Sequence, residues 1–379
     1  MPSSPPRLSV VLPALNEEET VGECIDRIRQ VCSERGIAGE IIIADSSTDR
    51  TPSIARDLGA VVVRPSRRGY GNAYLAGLAQ ARGELVAIGD ADNTYDFLEL
   101  PLLLDRMEET GADMVFGSRL RGEIREGAMP WLHQYIGNPL LTWLLNVVFR
   151  THISDAHSGF RLIRREALER LNLKTGGMEF ASEMFIEAAK AGLAIEEVPI
   201  TYHPRVMPSK LHSFSDGWRH IRFMLLYKPL PFLAVPGFLF ALFGLLLLLL
   251  FSFDVGIETS RLHTFILSAL AFIGGLQILL MGITIKVYSV MHGFSEPGRL
   301  VSRLMTYLSL ERELFVGVLL MLMGVVVGIG IVQQWIASGL GELAQVTNAV
   351  WSLALFLSGL QIVFSAIFLS MMLLNVEER

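Results

Sequence analysis

Two aspartates, Asp90 and Asp92, directly follow the apolar run Leu85–Ile88. An apolar run that ends in two acids predicts a buried strand whose carboxylates emerge together at one edge of a sheet. Alternate residues of an extended chain point to the same side, so Asp90 and Asp92 can converge on one hard cation. Mg²⁺ and Mn²⁺ favour oxygen ligands, usually one or two carboxylates together with substrate phosphates. The tripeptide is also common in turns and helix caps, so the rest of the chain must decide.

Further polar clusters follow other predicted strands or open the helices after them. They are Asn16-Glu17, Asp45, Arg68 with Gly71, and Ser118-Arg119. The strands alternate with helices, which predicts a parallel sheet covered on both faces. Because ligands bind beyond the carboxyl ends of such strands, these clusters predict a single site together with Asp90 and Asp92. Gly69-x-Gly71 does not follow the first strand, so it is not a dinucleotide-binding fingerprint.

Two basic positions near the end of this half, Arg205 and Lys210, are suited to binding phosphates. On these residues alone, a phosphate clamp and a solvated loop remain equally open interpretations. The net charge of the whole chain is −6, which gives no support to nucleic-acid binding.

Beyond Pro229, four long apolar stretches dominate, over 231–253, 264–290, 314–335 and 349–374. Each is long enough to cross a hydrocarbon core of about 30 Å, which takes about 20 helical residues. The run of leucines over 245–250 has no polar face, which argues against a buried helix of a soluble core. We therefore predict an integral membrane protein with four spans.

The basic residues of the connections predict the orientation of the spans. The connection between the second and third spans is basic and carries Lys286, Arg299, Arg303 and Arg312. The first connection has a single arginine, Arg261, and the third has no Lys or Arg. Positive loops stay inside, so this connection, both termini and the first half are predicted to be cytoplasmic. The start of the chain has no apolar signal-peptide region. Cys24 and Cys32 lie about 12 Å apart on one predicted helix, too far for a disulfide.

The stretch 129–149 is unusually rich in tryptophan, tyrosine and leucine for a soluble domain. A core helix is one interpretation. We favour a helix that lies at the membrane surface, because Trp and Tyr prefer that interface. The basic and aromatic segment 217–228 precedes the first span and is predicted to lie along an anionic membrane surface.

Taken in order, the motifs resemble those of the family 2 glycosyltransferases, and within them the polyprenyl-phosphate sugar transferases such as the dolichol-phosphate mannose and glucose synthases. The resemblance covers about 8–227 and rests on Pro13-Ala14-Leu15-Asn16-Glu17, Asp45-Ser46-Ser47-Thr48-Asp49, Asp90-Ala91-Asp92, Gly117-Ser118-Arg119, Ser158-Gly159-Phe160-Arg161, Glu183, and Arg205 with Ser209-Lys210. It implies an α/β GT-A fold, Rossmann-like with a mostly parallel sheet, here followed by an α-helical transmembrane domain of four helices. We predict a catalytic domain over 1–211, an amphipathic juxtamembrane segment over 212–230 and the transmembrane domain over 231–379.

The resemblance also implies roles for individual residues. The nucleotide-sugar site would comprise Pro13, Leu15, Asn16, Glu17, Asp45, Arg68, Gly71, Asp90, Ala91, Asp92, Arg205 and Lys210. Within it, Asp90 and Asp92 would hold Mg²⁺ or Mn²⁺ on the diphosphate. The acceptor phosphate would contact Arg119, Ser158, Arg161 and Ser209. Asp92, Arg119 and Asp155 would be the catalytic residues. Asp155 matches a position proposed as a base in some members, and the alternative is a partner of an arginine or of the metal.

The implied reaction transfers a hexose, glucose or mannose, from a UDP- or GDP-sugar to a polyprenyl phosphate with inversion. A homo-oligomer is a further expectation. The family usually has two acids where this chain has Ala44-Asp45, a glycine where it has Ser46 and a glutamine where it has Thr94.

Two alternative functions remain. One is a processive polysaccharide synthase, although none of the five tryptophans has the usual Gln-x-x-Arg-Trp context. The other is a non-catalytic lipid-binding or flippase-associated module.

Overall fold

A computed structural model of the chain describes residues 6–206, 213–252, 259–304, 307–340 and 345–374. It divides into two compact units, Met1–Phe223 and Met224–Arg379. Ser209 and Lys210, both predicted to bind phosphate, lie outside the described residues.

The first unit is built on one seven-stranded sheet. Its strands are β1 (Leu8–Ala14), β2 (Gly39–Asp45), β3 (Val61–Val63), β4 (Leu85–Ile88), β5 (Met114–Ile124), β6 (Arg161–Arg164) and β7 (Ile195–Tyr202). They lie in the order β3-β2-β1-β4-β6-β5-β7. Every pairing is parallel except those of β6, which runs antiparallel to both β4 and β5. The mostly parallel sheet predicted from the sequence is confirmed.

Helices connect the strands of the first unit. They are α1 (Val21–Glu34), α2 (Thr51–Asp57), α3 (Tyr70–Leu78), α4 (Leu100–Thr110), α5 (Asn138–Phe149), α6 (Arg165–Leu168) and α7 (Phe180–Lys190). One more helix, α8 (Ser213–Tyr227), follows β7 and ends beyond Phe223, the last residue of the first unit. A 3₁₀ turn, Phe97–Glu99, precedes α4, and a π-helical turn, His133–Gly137, precedes α5. The alternation of strands and helices covers both faces of the sheet, which explains why the central strand β4 is apolar throughout.

Burial explains the apolar runs of the central strands. All four residues of β4 are buried, and in β1 only Pro13 is partly exposed. On α1 the buried side chains recur with helical spacing, so one stripe of that helix packs on the sheet. The two central strands β1 and β4 are thus fixed on both faces, and the residues that follow them start from a rigid edge.

Strand β6 is the main feature that the sequence analysis did not predict. Its apolar part is only Leu162-Ile163, and its hydrogen-bond partners on β4 and β5 are remote in sequence. Strand β5 also continues to Ile124, beyond Ser118 and Arg119, because it pairs with β7 again after a bulge at 118–123. Ser118 and Arg119 therefore lie within a strand rather than after one.

The second unit contains α9 (Val235–Ser252), α10 (Thr259–Met291), α11 (Arg299–Leu304), α12 (Tyr307–Ala337) and α13 (Val346–Leu374). A π-helical turn, Leu230–Ala234, precedes α9. Four helical stretches are long and apolar enough to cross a membrane, Leu230–Ser252, Leu262–Met291, Glu311–Ala337 and Val346–Leu373. They agree with the four predicted spans to within a few residues at each end.

Candidate active site

Asp90 lies immediately after β4 and faces two tyrosines of α3. Its Oδ1 accepts hydrogen bonds from the hydroxyls of Tyr70 at 3.0 Å and Tyr74 at 3.4 Å. Burial, and then the negative charge of Asp92, raise the pKa of Asp90 above its usual range. The two carboxylates thus lie close enough to repel each other, which is the condition that a shared cation relieves.

Asp92 is oriented by the turn that follows it. Its Oδ1 accepts hydrogen bonds from the backbone N–H of Thr94 at 3.1 Å and from the Thr94 hydroxyl at 2.6 Å. Between them Asn93 has a φ of 61°, a left-handed conformation that asparagine tolerates well. Thr94 stands where the related pattern usually has a glutamine, and here it fixes one oxygen of Asp92.

Arg205, after β7, joins the ends of two other strands. Its Nη2 lies 2.7 Å from Oε1 of Glu17, and its Nε lies 3.1 Å from Oδ2 of Asp92. Both carboxylates are nearly buried, with side chains 4% and 10% exposed. A single guanidinium therefore connects the segment after β1 with the segment after β4.

The loops after β1 and β2 hold each other through Asn16. This residue has a φ of 53°, its backbone N–H donates to the Ser47 hydroxyl at 2.7 Å, and its side-chain oxygen accepts from the Thr48 N–H at 2.8 Å. Asp45 is buried at the end of β2 and accepts from the Ser47 N–H at 3.2 Å. Leu15 is exposed beside Asn16. Pro13 pairs with Ala44 just behind them, so these predicted donor residues share one edge.

The start of α3 is packed against the loop before α7. The backbone N–H of Gly71 donates to the carbonyl of Gly177 at 3.2 Å, and a Cβ on Gly71 would overlap the Thr175 carbonyl. Glu183 holds that loop by accepting from the Thr175 N–H at 2.9 Å and its hydroxyl at 2.6 Å. Arg68 is exposed just before α3. Gly71 and Glu183 therefore fix the helix that carries Tyr70.

Arg119 and Asp155 form a two-point ion pair in the interior. Nε of Arg119 lies 2.7 Å from Oδ2 of Asp155, and Nη2 lies 2.9 Å from Oδ1. The backbone N–H of Arg119 also donates to Oδ2 at 3.2 Å. Asp155 is completely buried, and the guanidinium of Arg119 lies 5.1 Å from the centre of the Tyr202 ring. The carboxylate of Asp155 is thus directed at Arg119.

Arg161 is enclosed by the segment that precedes it. Its Nε donates to the Ser158 carbonyl at 2.8 Å and its Nη2 to the Ala156 carbonyl at 3.1 Å, while its guanidinium lies over the Phe116 ring at 4.5 Å. Burial lowers the pKa of Arg161 to about 10. Within the part of the chain that the structure describes, its Nη1 is buried and has no hydrogen-bond partner.

Tyr95 connects the segment of Asp92 with that of Ser158. Its hydroxyl accepts from the Gly159 N–H at 2.7 Å, and its ring stacks on Phe160 and contacts Tyr202. The structure therefore groups Glu17, Asp90, Asp92 and Arg205 near Arg119, whose charge acts on Asp90. The sequence analysis did not select Tyr70, Tyr74 or Tyr95, although Tyr70 lies within the selected Gly69-x-Gly71 segment.

Comparisons with known proteins identify the family of this chain. A glycosyl transferase family 2 model matches residues 9–171, and a model of the family 2 C-terminal transmembrane region matches residues 283–373. The low-salt glycan biosynthesis hexosyltransferase Agl6 of Haloferax volcanii is 44% identical to this chain, over 96% of this chain and 88% of its own length. The dolichyl-phosphate hexose transferase of the same organism is 34% identical, over 55% of this chain and 89% of its own length.

Among solved structures, a glucosyl-3-phosphoglycerate synthase from Mycobacterium tuberculosis, in complex with Mn²⁺, UDP-glucose and phosphoglyceric acid, is 26% identical. It covers 58% of this chain and 79% of its own, with a TM-score of 0.48. The near full-length match to the Haloferax hexosyltransferase and the two family models show that the chain belongs to the family 2 glycosyltransferases and carries the C-terminal transmembrane region found in this family.

Proposed function

We propose that this glycosyltransferase moves a hexose from a nucleotide sugar to the phosphate of a polyprenyl phosphate, giving a polyprenyl-phosphate hexose and a nucleoside diphosphate. One observation carries the proposal. A carboxylate pair suited to a cation on a diphosphate lies near two buried arginines suited to a second phosphate, in a chain with four candidate membrane spans. The names of the two Haloferax relatives support the hexose and the lipid phosphate.

The donor would bind at the edge formed by the ends of β1, β2 and β4. The exposed Leu15 offers an apolar surface to a base, and the buried carboxylate of Asp45 is positioned to accept from a ribose hydroxyl. Arg205 is the nearest described cation for the diphosphate, since its guanidinium already contacts Asp92. Glucose and mannose are the proposed sugars, and UDP and GDP the proposed carriers.

The residues of the Asp90–Asp92 corner fit Mg²⁺ or Mn²⁺. Within the described residues no cluster of three or more metal-binding side chains occurs, so substrate phosphates would have to complete the coordination of such an ion. The Arg205 guanidinium already lies against Asp92 as a cation. When bound, such a metal would neutralise charge on the departing diphosphate. Asp92, with one oxygen held by Thr94, would present its other oxygen to the metal.

The acceptor phosphate would bind near Arg119, Arg161 and Ser158. A phosphate monoester is already anionic near neutral pH, so in-line attack on the anomeric carbon needs little help from a base. One such displacement inverts the anomeric configuration. The buried Asp155 would then act by orienting Arg119, whose guanidinium it holds at two points.

The segment around α5 would bring the lipid within reach. Its apolar side chains are mostly exposed, with Trp131 at 65%, Tyr135 at 60% and Trp143 at 59%, and only Thr142 and Leu145 of α5 are buried. A helix in the core of a soluble domain would bury these side chains. We propose that this face lies in the membrane interface, on the cytoplasmic side that the basic second connection indicates.

The test is a transfer assay with the purified full-length protein. It is incubated with a polyprenyl phosphate, Mg²⁺ or Mn²⁺, and a panel of UDP- and GDP-sugars, and the lipid fraction is analysed by mass spectrometry. We expect a hexosylated lipid phosphate from one or a few donors and none from Asp92→Ala. No product from any donor would overturn the proposal, as would undiminished product with Asp92→Ala.

A further inference from the structure

One guanidinium lies where two carboxylates converge. Arg205 contacts Glu17 at 2.7 Å and Asp92 at 3.1 Å, and these carboxylates belong to segments that follow different strands. Both carboxylates are nearly buried, and the Arg205 side chain is itself only 22% exposed. Such a pair of charges is stabilised only while a cation lies between them.

The contacts of Asp92 leave one oxygen to share. Its Oδ1 is held by the Thr94 N–H and hydroxyl, so Oδ2, the oxygen that contacts Nε of Arg205, is the one left for a cation. A divalent ion on Oδ2 would place two like charges within a few ångströms in a poorly solvated site. Arg205 and the metal therefore cannot both contact this oxygen without strong repulsion.

The position of Arg205 in the chain allows it to change partners. Two residues earlier, the backbone N–H of His203 donates to the carbonyl of Thr94 at 2.9 Å, which fixes the segment beside Asp92. The long Arg205 side chain projects from just beyond this anchor. A diphosphate brought to the same corner would offer the guanidinium a two-oxygen partner at least as good as the carboxylates it leaves.

We propose that Arg205 and a divalent cation compete for Asp92, and that a nucleoside diphosphate resolves the competition by binding Arg205. The competition makes the metal alone a weak ligand, and it couples metal binding to nucleotide binding in both directions. The inference rests on the proposed function in one respect, namely that a nucleoside diphosphate is the ligand. Arg205 thereby becomes a residue that enforces joint binding of metal and donor.

The test measures Mn²⁺ binding without turnover, from the loss of the free-Mn²⁺ EPR signal on titration of the full-length protein. For Arg205→Gln we expect Mn²⁺ alone to bind about 5- to 20-fold more tightly than to wild type, within the range of typical coupling between sites. Arg106→Gln is the matched control. It removes an arginine paired with Glu196 at 2.7 Å, away from Asp92, and should leave Mn²⁺ affinity unchanged. Asp92→Asn should abolish the tight binding and so locate the ion.

A second titration measures the coupling itself. A fluorescent analogue of UDP or of GDP is titrated with and without saturating Mn²⁺. In wild type, Mn²⁺ should strengthen nucleotide binding by a factor about 5- to 20-fold larger than in Arg205→Gln, where only the coupling through the phosphates that contact the metal remains. Arg205→Lys keeps the positive charge but loses the fork of the guanidinium, so the effect of Mn²⁺ on nucleotide affinity should lie between those of wild type and Arg205→Gln. This variant replaces Arg205→Gln in the test if the glutamine variant is too unstable to measure.

Unchanged or weaker Mn²⁺ affinity in Arg205→Gln would overturn the inference. The inference and the proposed function can fail separately. If no donor yields a glycolipid while Arg205→Gln still tightens Mn²⁺ binding, the transfer reaction is wrong and the competition stands. If transfer is observed while Arg205→Gln leaves Mn²⁺ affinity unaltered, only the competition is wrong.

Discussion

The carboxylate of Asp155 meets the guanidinium of Arg119 at two points, with Nε–Oδ2 at 2.7 Å and Nη2–Oδ1 at 2.9 Å. Because Arg119 engages both oxygens of the Asp155 carboxylate, these oxygens face this arginine rather than a substrate. The pair fixes the direction of Arg119 within β5, beside the ring of Tyr202. This geometry supports a positioning role for Asp155 in the proposed reaction.

Asp155→Asn tests that role. Replacing one partner leaves the Arg119 charge buried and poorly compensated, so we expect the free energy of unfolding to fall by about 3–5 kcal/mol. The KM for polyprenyl phosphate should rise, while the shape of the pH–rate profile stays unchanged. Asp105→Asn, which breaks an exposed pair with Arg35, should leave stability nearly unchanged. Loss of one limb of the pH–rate profile in Asp155→Asn would instead identify a base.

Thr94→Val tests the orientation of Asp92. The substitution keeps the shape of the side chain and removes the hydroxyl that donates to Oδ1 at 2.6 Å. A hydrogen bond to a charged group contributes about 1.5–3 kcal/mol, so Mn²⁺ affinity in the presence of nucleotide should fall about tenfold or more. Thr94→Ser keeps the hydroxyl and should stay within about threefold of wild type. Equal affinities for the valine and serine variants would contradict the assigned contact.

Gly71→Ala tests the contact between α3 and the loop held by Glu183. A Cβ at this position would overlap the Thr175 carbonyl oxygen, which is backbone and cannot swing aside. We expect a loss of about 1–3 kcal/mol in stability and weaker nucleotide binding, because α3 carries Tyr70 and Tyr74. Gly217→Ala is the control, since a Cβ there meets open space in helix α8 and should stabilise by up to about 1 kcal/mol. Unchanged stability and nucleotide affinity in Gly71→Ala would contradict the proposed role of this contact, because the loop around Thr175 would then have moved aside without cost.

Trp143→Ser tests the proposed membrane face of α5. The indole is 59% exposed, so its removal should leave thermal stability and nucleotide affinity unchanged. In vesicles that contain polyprenyl phosphate, the KM for the lipid should rise several-fold, since tryptophan anchors segments at the interface. Leu102→Ser, on α4 and 45% exposed, should have no such effect. An unaltered lipid KM in Trp143→Ser would remove this helix from the proposal.

The sequence predicted the features that local pattern determines. The apolar run Leu85–Ile88 predicted the buried strand before Asp90, and the long apolar stretches predicted the four candidate spans. Pairings between distant residues were not predictable in this way. Strand β6 has only two apolar residues and owes its place to β4 and β5. Likewise, Arg205 is separated from Glu17 by 188 positions, and no local pattern links them.

The sequence identified residues of interest, but their hydrogen-bond partners depend on the fold. Thr94 could be singled out from the sequence as a departure, yet only the structure shows that its hydroxyl holds Asp92. Arg161 was predicted at the acceptor phosphate, and the structure shows two of its nitrogens committed to the carbonyls of Ala156 and Ser158. Which nitrogen stays available depends on how the loop closes, a tertiary property with no signature in residue spacing.

The most direct test of lipid phosphate as the acceptor is the fate of ¹⁸O placed on the non-bridging oxygens of polyprenyl phosphate. With an active donor from the panel and the wild-type protein, mass spectrometry should find all the label in the glycolipid and none in the released nucleoside diphosphate. This result follows if a lipid phosphate oxygen attacks the anomeric carbon. Recovery of the labelled lipid unchanged with every donor, or appearance of the label in the nucleotide, would contradict it.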